Sequence, residues 1–372
     1  MPERTPLYQV EKQAGAVFAE EAGWLMPAHF GDPAAEYRHA TEGAAVFDLS
    51  HRGKVVVTGP DARTFLNNLS TNDIKGLTPG AGCETFLCNV QARVVASPVV
   101  YCSWPPEGSS ESDGSDVFWL DLDAGTADKV IKHLDHHLIS EQVELRDSTR
   151  ACVQLHLAGP EAQAILARAL FVEVKLQELR HSGLCFSGGL LHVRRRSALG
   201  LPGYDLLYEC ERASKLWQAL AEAGARPAGS QVYEVLRVEA GTPAYGKDID
   251  ESVLAPEVGR TAQAISYTKG CYLGQEPICR IRDLGHVNRT LLGLRITGTE
   301  AVPPGAKLFR DGKEVGHVTS SVVSPRWGAI ALAYVRRGHE PGTVVEVEAA
   351  GTRRTARVTG LPFSSGNVGG TG

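Results

Sequence analysis

The feature that most constrains the fold is a pattern that occurs twice, one hundred residues apart. In both copies an apolar run leads into glycine, proline, an acidic residue and alanine: Val57-Thr58-Gly59-Pro60-Asp61-Ala62 and Leu157-Ala158-Gly159-Pro160-Glu161-Ala162. Apolar residues at helical spacing follow each copy, with Phe65 and Leu66 after the first and Ile165 and Leu166 after the second. The repeat predicts two related strand–turn–helix units packed together. The alternative is a common turn, because many strands enter a helix through Gly-Pro.

The sequence changes character after Arg289, where short apolar runs alternate with glycine and proline turns. Asp311-Gly312 separates two such runs, which is a strong hairpin signal. Residues 290–363 are therefore predicted to form a small antiparallel β-barrel, and glycine-rich residues 364–372 a disordered tail.

Residues 1–289 form the larger predicted region, with subunits of about 1–148 and 149–289. Within it, the Pro-, Gly-, Ser- and acid-rich segment Pro105–Asp116 predicts an exposed, mobile loop.

Composition excludes several classes of protein. The chain has 372 residues, enough for two or three domains, and its net charge of −5 gives no reason to expect nucleic-acid binding. No run of about 18 apolar residues is present, so no membrane span is predicted. Met1–Val10 lacks the basic and apolar regions of a signal peptide. The eight cysteines are scattered without a C-x-x-C pair, which indicates reduced thiols and a cytoplasmic protein.

A histidine cluster raises the question of a metal site. His133 and His137 lie one helical turn apart, so they are able to share a ligand face. No carboxylate or thiol accompanies them in a metal-binding pattern. We therefore interpret them as part of a solvated helix face and predict no metal site.

A compact segment holds one cysteine between a lysine and amide or carboxylate side chains: Lys269-Gly270-Cys271-Tyr272-Leu273-Gly274-Gln275-Glu276. The following residues, from Pro277, suit a short helix, because proline is tolerated in a first turn. A cation and a helix start both favour the thiolate, the reactive and metal-binding form of cysteine. The alternative is a small buried residue, which is also how we interpret Cys279.

This octapeptide, with Arg280 and Gly285 downstream, resembles the K-G-C-Y-x-G-Q-E signature of the YgfZ family. Proteins of that family are of the folate-binding type and are linked to iron–sulfur protein maturation. The resemblance implies that Cys271 is the working residue and that Lys269 favours its thiolate. It also implies that Gln275, Glu276 and Arg280 position a partner or bound species.

A broader resemblance, to the glycine-cleavage T-protein, covers nearly the whole chain. It rests on Thr5-Pro6-Leu7-Tyr8, Gly23-Trp24, Met26-Pro27, Phe47-Asp48-Leu49-Ser50-His51, Gly53-Lys54, Leu236-Arg237-Val238-Glu239-Ala240-Gly241, Tyr245-Gly246-Lys247-Asp248-Ile249-Asp250, Pro341-Gly342-Thr343 and Leu361-Pro362-Phe363. The YgfZ family is a branch of the same superfamily. The implied fold class is α+β: a ring-like folate-binding assembly of duplicated α+β subdomains plus a C-terminal antiparallel β-barrel.

The departures from the T-protein pattern concern its carboxylates. Its hairpin aspartates, in a run like G-G-V-I-D-D, align with Ala96 and Ser97. Its pterin-binding glutamate aligns with Leu201, which accepts no hydrogen bond. Arg237 matches an arginine that the T-protein uses near folate, with a helix-surface arginine as the alternative, and Arg353 loosely matches a second. The resemblance thus implies tetrahydrofolate or a derivative near Arg237 and Arg353.

The sequence therefore predicts a cytoplasmic YgfZ-like accessory protein that binds folate and supports the assembly or repair of iron–sulfur enzymes. Its expected partners are a folate and iron–sulfur proteins or their assembly machinery. Ala96, Ser97 and Leu201 predict that it is not a conventional aminomethyltransferase. Two alternatives remain: a folate-dependent aminomethyl- or methyltransferase of the T-protein type, and a non-catalytic binding module that has lost folate.

Overall fold

The computed structural model describes residues 1–104, 116–349 and 351–364. The predicted loop Pro105–Asp116 and the predicted tail 364–372 lie outside these residues, except for Asp116 and Ser364. Within the described ranges, no helix is long and apolar enough to span a membrane.

The secondary-structure elements are numbered in chain order. The strands are β1 (Glu3–Arg4), β2 (Val17–Glu21), β3 (Trp24–His29), β4 (Ala45–Asp48), β5 (Gly53–Thr58), β6 (Ala81–Glu84), β7 (Leu87–Cys88), β8 (Val94–Ala96), β9 (Val99–Ser103), β10 (Val117–Leu122), β11 (Glu144–Asp147), β12 (Cys152–Ala158), β13 (His181–Phe186), β14 (Gly189–Arg195), β15 (Gly203–Glu209), β16 (Arg226–Pro227), β17 (Arg289–Ile296), β18 (Lys307–Arg310), β19 (Lys313–Ser324), β20 (Gly328–Arg336), β21 (Val344–Ala349) and β22 (Thr352–Thr359). The α-helices are α1 (Tyr8–Gln13), α2 (Pro33–Glu42), α3 (Ala62–Leu69), α4 (Ala127–Asp135), α5 (Ala162–Leu170), α6 (Ala213–Glu222), α7 (Ser230–Ala240), α8 (Thr261–Ala264) and α9 (Gln275–Leu284). Short 3₁₀ turns occupy Cys210–Arg212 and Ala255–Val258.

Two larger sheets form the body of the protein. The first has the order β11-β5-β10-β9-β6 and the second β13-β14-β15-β12-β4-β16. Strand β4 precedes the predicted division at about residue 148, yet it pairs with β12 in the second sheet. Three short strands, β1-β3-β2, make a separate N-terminal sheet, and β7 pairs with β8 in a two-stranded ribbon.

The repeated Gly-Pro pattern has the same local structure in both copies. Strand β5 enters α3 through Gly59, and β12 enters α5 through Gly159, each glycine with positive φ (+116° and +140°). A Cβ atom on Gly59 would lie 2.2 Å from the carbonyl oxygen of Gln142, and one on Gly159 would lie 2.3 Å from that of Gly43. Each turn therefore needs glycine for close backbone approach as well as for its φ angle. The predicted α+β fold class is confirmed.

The C-terminal strands close into a barrel of order β17-β20-β19-β18-β21-β22. Arg310 pairs with Lys313 around the Asp311-Gly312 turn, and both turn residues have positive φ (+51° and +74°). Positive φ at both central residues defines the type I′ turn that matches strand twist. The predicted antiparallel barrel is therefore confirmed.

Helix α7 connects the barrel to the body, since it contacts β3 on one side and β19 and β20 on the other. Val232 and Leu236 bury its apolar face in a cluster with residues of α2 and β4, while Val238 joins a cluster with barrel residues. The polar residues of α7 are thereby placed where the sheets and the barrel meet.

Candidate functional site

Two adjoining cavities, of about 570 and 640 Å³, lie where the two sheets, α7 and the segment after α7 converge. Both volumes are within the range of small-molecule sites. Five residues line both cavities: Arg52, Asp123, Tyr233, Arg237 and Ala244. We call this pair of spaces the central cavity, and these five residues its junction.

The wall beside the junction is built on a buried aspartate that holds two arginines. Arg52 Nε lies 2.9 Å from Asp121 Oδ1, and Arg196 Nη1 lies 2.5 Å from Asp121 Oδ2. Burial opposes ionisation of Asp121, but the two guanidinium groups outweigh it and hold the pKa of the carboxyl below its usual range. The sequence places a charged residue in the otherwise apolar strand β10 because it organises this wall.

The series of charged contacts that begins at Arg52 and Asp121 continues into the second sheet. Arg196 Nη1 lies 3.6 Å from Asp205 Oδ2, and Asp205 Oδ1 lies 2.7 Å from Nδ1 of His156. His156 and Asp205 are 1% exposed, so the desolvated pair is sheltered from solvent screening. Burial works against ionisation of Asp205, whereas the bond to His156 and the charge of Arg196 lower its pKa. These charged contacts join β10 to β12 and β15 and fix the position of Arg196.

Asp123 places a carboxylate at the junction. Its Oδ1 accepts a hydrogen bond from Arg52 Nη1 at 3.1 Å, and its Oδ2 accepts one from the backbone N–H of Tyr245 at 3.2 Å. Its side chain is 18% exposed, in contrast to the sealed Asp121. A carboxylate that is oriented by two donors and still reachable from the cavity is suited to stabilise positive charge on a bound molecule.

Arg237 lines the cavity, but its guanidinium group donates all its hydrogen bonds to other groups of the protein. Nε and Nη2 donate to Glu234, Nη1 donates to Thr242 O (3.1 Å) and Asp248 Oδ2 (2.8 Å), and Nη2 also donates to Ser320 Oγ (2.7 Å). These bonds account for all five donors of a guanidinium group. The structure thus places Arg237 at the expected cavity as a buried link between α7 and barrel strand β19.

The three positions that depart from the T-protein pattern, Ala96, Ser97 and Leu201, do not all line the central cavity. Ser97 follows β8 and lines the 570 Å³ cavity, whereas Ala96 is buried within β8. Leu201 lines a neighbouring cleft of about 530 Å³, together with Arg326 and Trp327. Of the three, Ser97 is the one that lines the central cavity.

The cysteine segment lies away from the central cavity. Cys271 is exposed and precedes α9, which begins at Gln275, while Glu276 and Arg280 form an exposed ion pair at 2.7 Å. Lys269 turns towards the end of α3, where its Nζ donates to three carbonyl groups, those of Asn67 (2.6 Å), Ser70 (2.6 Å) and Asn72 (2.7 Å). Burial lowers the pKa of Lys269 to about 8. A lysine in this position satisfies carbonyls at a helix C-terminus.

Arg353 lies on strand β22 of the barrel. It forms exposed ion pairs with Glu346 and Glu348, both at 3.0 Å, and does not line the central cavity.

The histidine cluster is more enclosed than the sequence indicates. His133 and His137 have ring centroids 5.2 Å apart, and burial is the main cause that lowers the pKa of His133 to about 4. Over the described residues, no group of three or more His, Cys, Asp or Glu side chains is arranged to hold a metal ion.

Sequence reasoning missed the residues that build the cavity wall, namely Arg52, Asp121, Asp123, Arg196 and Tyr233. One signal was available, because Asp121 interrupts the apolar strand Val117–Leu122 and a buried charge needs a partner. The partners come from distant segments, so the sequence does not identify them.

The geometry defines a class: an α+β protein with a small-molecule cavity between its sheets and a barrel attached through α7. The chain belongs to the glycine cleavage T-protein family. Residues 7–265 match the family model of the GCVT N-terminal domain, and residues 289–364 match that of the glycine cleavage T-protein C-terminal barrel domain.

Relatives and a solved structure agree with this assignment. The chain is 32% identical to proteins named aminomethyltransferase from a Nostoc species, over 97% of this chain and 95% of the relative, and from Geobacillus kaustophilus, over 98% and 99%. The crystal structure of glycine cleavage system aminomethyltransferase T from Bartonella henselae superposes with a TM-score of 0.87, at 25% identity and 98% coverage of both chains.

These comparisons correct one prediction. The expectation that Ala96, Ser97 and Leu201 exclude a conventional aminomethyltransferase is wrong, since full-length relatives of about 30% identity bear that name. The structure supplies a physical reason. Replacing the hairpin aspartates does not remove carboxylates from the cavity, because Asp123 is held at the junction from a different strand end. The comparisons support the T-protein superfamily and do not show the YgfZ branch.

Proposed function

We propose that the chain is a tetrahydrofolate-dependent aminomethyltransferase of the glycine-cleavage T type. The observation that carries the proposal is the junction of the central cavity, where the reachable carboxylate of Asp123 lies beside two arginines. The family match and the names of the relatives support the same reaction class.

The residues of the cavity suit a folate. Tetrahydrofolate supplies amine nitrogens that accept or release a one-carbon unit. Phe86 and Tyr233 line the cavity and offer aromatic surface to a bicyclic ring. The two adjoining spaces are each of the size of a small-molecule site, which suits an extended ligand and a second reactant.

The residues at and beside the junction then have distinct roles. The Arg52 guanidinium and the Tyr245 backbone N–H orient Asp123, so that its charge is in place before reaction. Asp123 stabilises the positive charge that develops at the substrate nitrogen when the one-carbon unit is transferred. The Ser97 hydroxyl can donate or accept a hydrogen bond but carries no charge. The Asp123 side chain is only 18% exposed, which makes its charge interactions stronger than those of a fully exposed carboxylate.

The test is direct. We expect one-carbon transfer between an aminomethylated lipoyl carrier and tetrahydrofolate, with a turnover of roughly 1–10³ per second for an ordinary enzyme. Calorimetry with tetrahydrofolate alone provides an independent readout. The absence of both transfer and binding would reject the proposal.

A second candidate function is support of iron–sulfur enzymes through Cys271. The observation in its favour is that Cys271 is exposed and lies outside the central cavity, where a partner protein can reach it. The test is complementation of a strain that lacks the protein, with either the unmodified chain or Cys271→Ser. The activity of iron–sulfur enzymes in the two complemented strains tests this function separately from one-carbon transfer.

A further inference from the structure

Arg52 and Arg196 both donate to Asp121, yet neither uses all its hydrogen-bond donors. Both donate to Asp121, and Arg52 also donates to Asp123. Among the described residues, no hydrogen-bond partner exists for Nη2 of Arg52 or for Nε and Nη2 of Arg196.

These nitrogen atoms are also accessible. They are not among the sealed polar atoms that lack a partner, whereas Nε and Nη1 of Arg194 are. Arg194 instead lies over the rings of Tyr101 and Trp119, at 4.4 and 5.5 Å from their centroids. The free donors of Arg52 and Arg196 therefore face the cavity that both residues line, and their side chains are only 11% and 17% exposed.

We propose that Arg52 and Arg196, held by Asp121, form a carboxylate-binding subsite in the central cavity. This inference rests on the proposed function and specifies which chemical group of a reactant the cavity wall recognises. Guanidinium donors fixed in a planar fork suit a carboxylate, and partial burial makes each charged hydrogen bond stronger than at the surface.

The other arginines of the cavity do not meet the same conditions. Arg237 has all five donors engaged. Arg260 is paired in a bidentate manner with Glu84, at 2.7 and 2.6 Å. The subsite is thus specific to the wall that carries Asp121.

Two sources of the carboxylate fit this chemistry. One is the glutamate tail of a folate. The other is a small free amine donor with its own carboxylate, whose cationic nitrogen would lie towards Asp123 and the ring of Tyr233. Arg52 borders both spaces of the central cavity, so either source is within reach of the subsite.

The experiment measures the affinity of three probes by calorimetry: 5-formyltetrahydrofolate, 6-methyltetrahydropterin, which lacks a carboxylate, and N-methylglycine. They are titrated into the full chain, Arg52→Lys and Arg196→Lys. Lysine keeps the charge beside Asp121 but removes the fork. Arg63→Lys is the matched control, because Arg63 pairs with Asp116 at 2.6 Å and does not line the central cavity. Thermal melting verifies that each variant is folded.

We expect both lysine variants to lower the affinity for a carboxylate-bearing probe by about 10- to 100-fold, as for loss of a charged hydrogen bond. The affinity for the pterin should stay unchanged. Weakening confined to the folate assigns the subsite to the folate tail, and weakening confined to N-methylglycine assigns it to the donor. Unchanged affinities in both variants, with folate still bound, would overturn the subsite and leave the proposed function standing. If no probe binds the unmodified chain, the subsite is overturned, and the assay of one-carbon transfer then decides the proposed function.

A comparison on the unmodified chain does not depend on the folding of any variant. Equal affinity for the folate and for the carboxylate-free pterin, together with no binding of N-methylglycine, also overturns the subsite.

Discussion

Arg237 Nη1 lies 2.8 Å from Asp248 Oδ2, and both side chains are almost completely buried. Asp248 also accepts hydrogen bonds from Thr319 and Ser320 of strand β19, so the pair fastens α7 to the barrel. Burial alone would lower the pKa of Arg237, but Asp248 and Glu234 raise it above its usual range. The arginine therefore remains a cation that the fold depends on.

We expect Arg237→Ala to reduce the free energy of unfolding by roughly 3–5 kcal/mol, because it leaves Asp248 buried without its counter-ion. Urea unfolding followed by circular dichroism measures this loss. Arg353→Ala is the control and should cost clearly less, since its ion pairs are exposed. A stable Arg237→Ala protein that has lost folate affinity would instead show that Arg237 binds the ligand directly.

The repeated glycines give a prediction about backbone approach. Gly159 has φ +140°, and a Cβ there would lie 2.3 Å from the carbonyl oxygen of Gly43. Gly31 also has positive φ (+108°), but a Cβ there meets nothing within 4 Å. We expect Gly31→Ala to cost about 1–2 kcal/mol, from backbone conformation alone. Gly159→Ala should cost clearly more in the same urea experiment, and equal costs would refute the close-approach argument.

The fold was more predictable than the site because its signals are local. The Asp311-Gly312 turn and the Gly-Pro repeat each act within a few residues, so the sequence shows them directly. The site depends on contacts between distant segments: Arg52 and Arg196 lie in different predicted subunits and meet only at Asp121. Lys269 illustrates the same limit, since its neighbour in sequence is Cys271 but its hydrogen-bond partners end α3.

Asp123→Asn tests the carboxylate at the junction. The amide has nearly the same shape but carries no charge, so we expect binding of tetrahydrofolate to persist. Turnover in one-carbon transfer should fall by roughly 10²-fold, in line with the loss of one preorganised electrostatic group. Asp128→Asn, at an exposed position on α4, is the control and should keep full activity. Undiminished turnover in Asp123→Asn would remove Asp123 from the mechanism.

Cysteine labelling separates exposed from enclosed thiols. Cys271 and Cys185 are exposed, whereas Cys88 and Cys102 are buried and burial raises the pKa of half-buried Cys83 to about 12. We expect iodoacetamide to modify Cys271 and Cys185 first, as measured by mass spectrometry of the native protein. Both Cys271→Ser and its control Cys185→Ser should melt at the temperature of the unmodified chain, because exposed positions lose little packing.

The same pair of variants tests the second candidate function. If Cys271 serves iron–sulfur enzymes, Cys271→Ser should fail to restore their activity in a strain that lacks the protein, while Cys185→Ser restores it. Full restoration by Cys271→Ser would leave the motif with a structural role only.

The last prediction concerns pH and His181. This residue is 3% exposed, its Nε2 lies 2.8 Å from the carbonyl oxygen of Cys102, and burial is the main cause that lowers its pKa from 6.5 to about 4. Because the folded-state pKa is the lower one, the unfolded chain binds more protons between pH 6.5 and 4. Stability therefore falls as the pH drops through this window, by up to about 3 kcal/mol from His181. His192, whose pKa burial also lowers to about 4, adds to the same slope. His181→Gln keeps a side-chain N–H for the carbonyl but cannot titrate, so the loss of stability between pH 7 and 4.5 should become smaller in urea unfolding. An unchanged loss would show that His181 is not protonated differently in the folded and unfolded states.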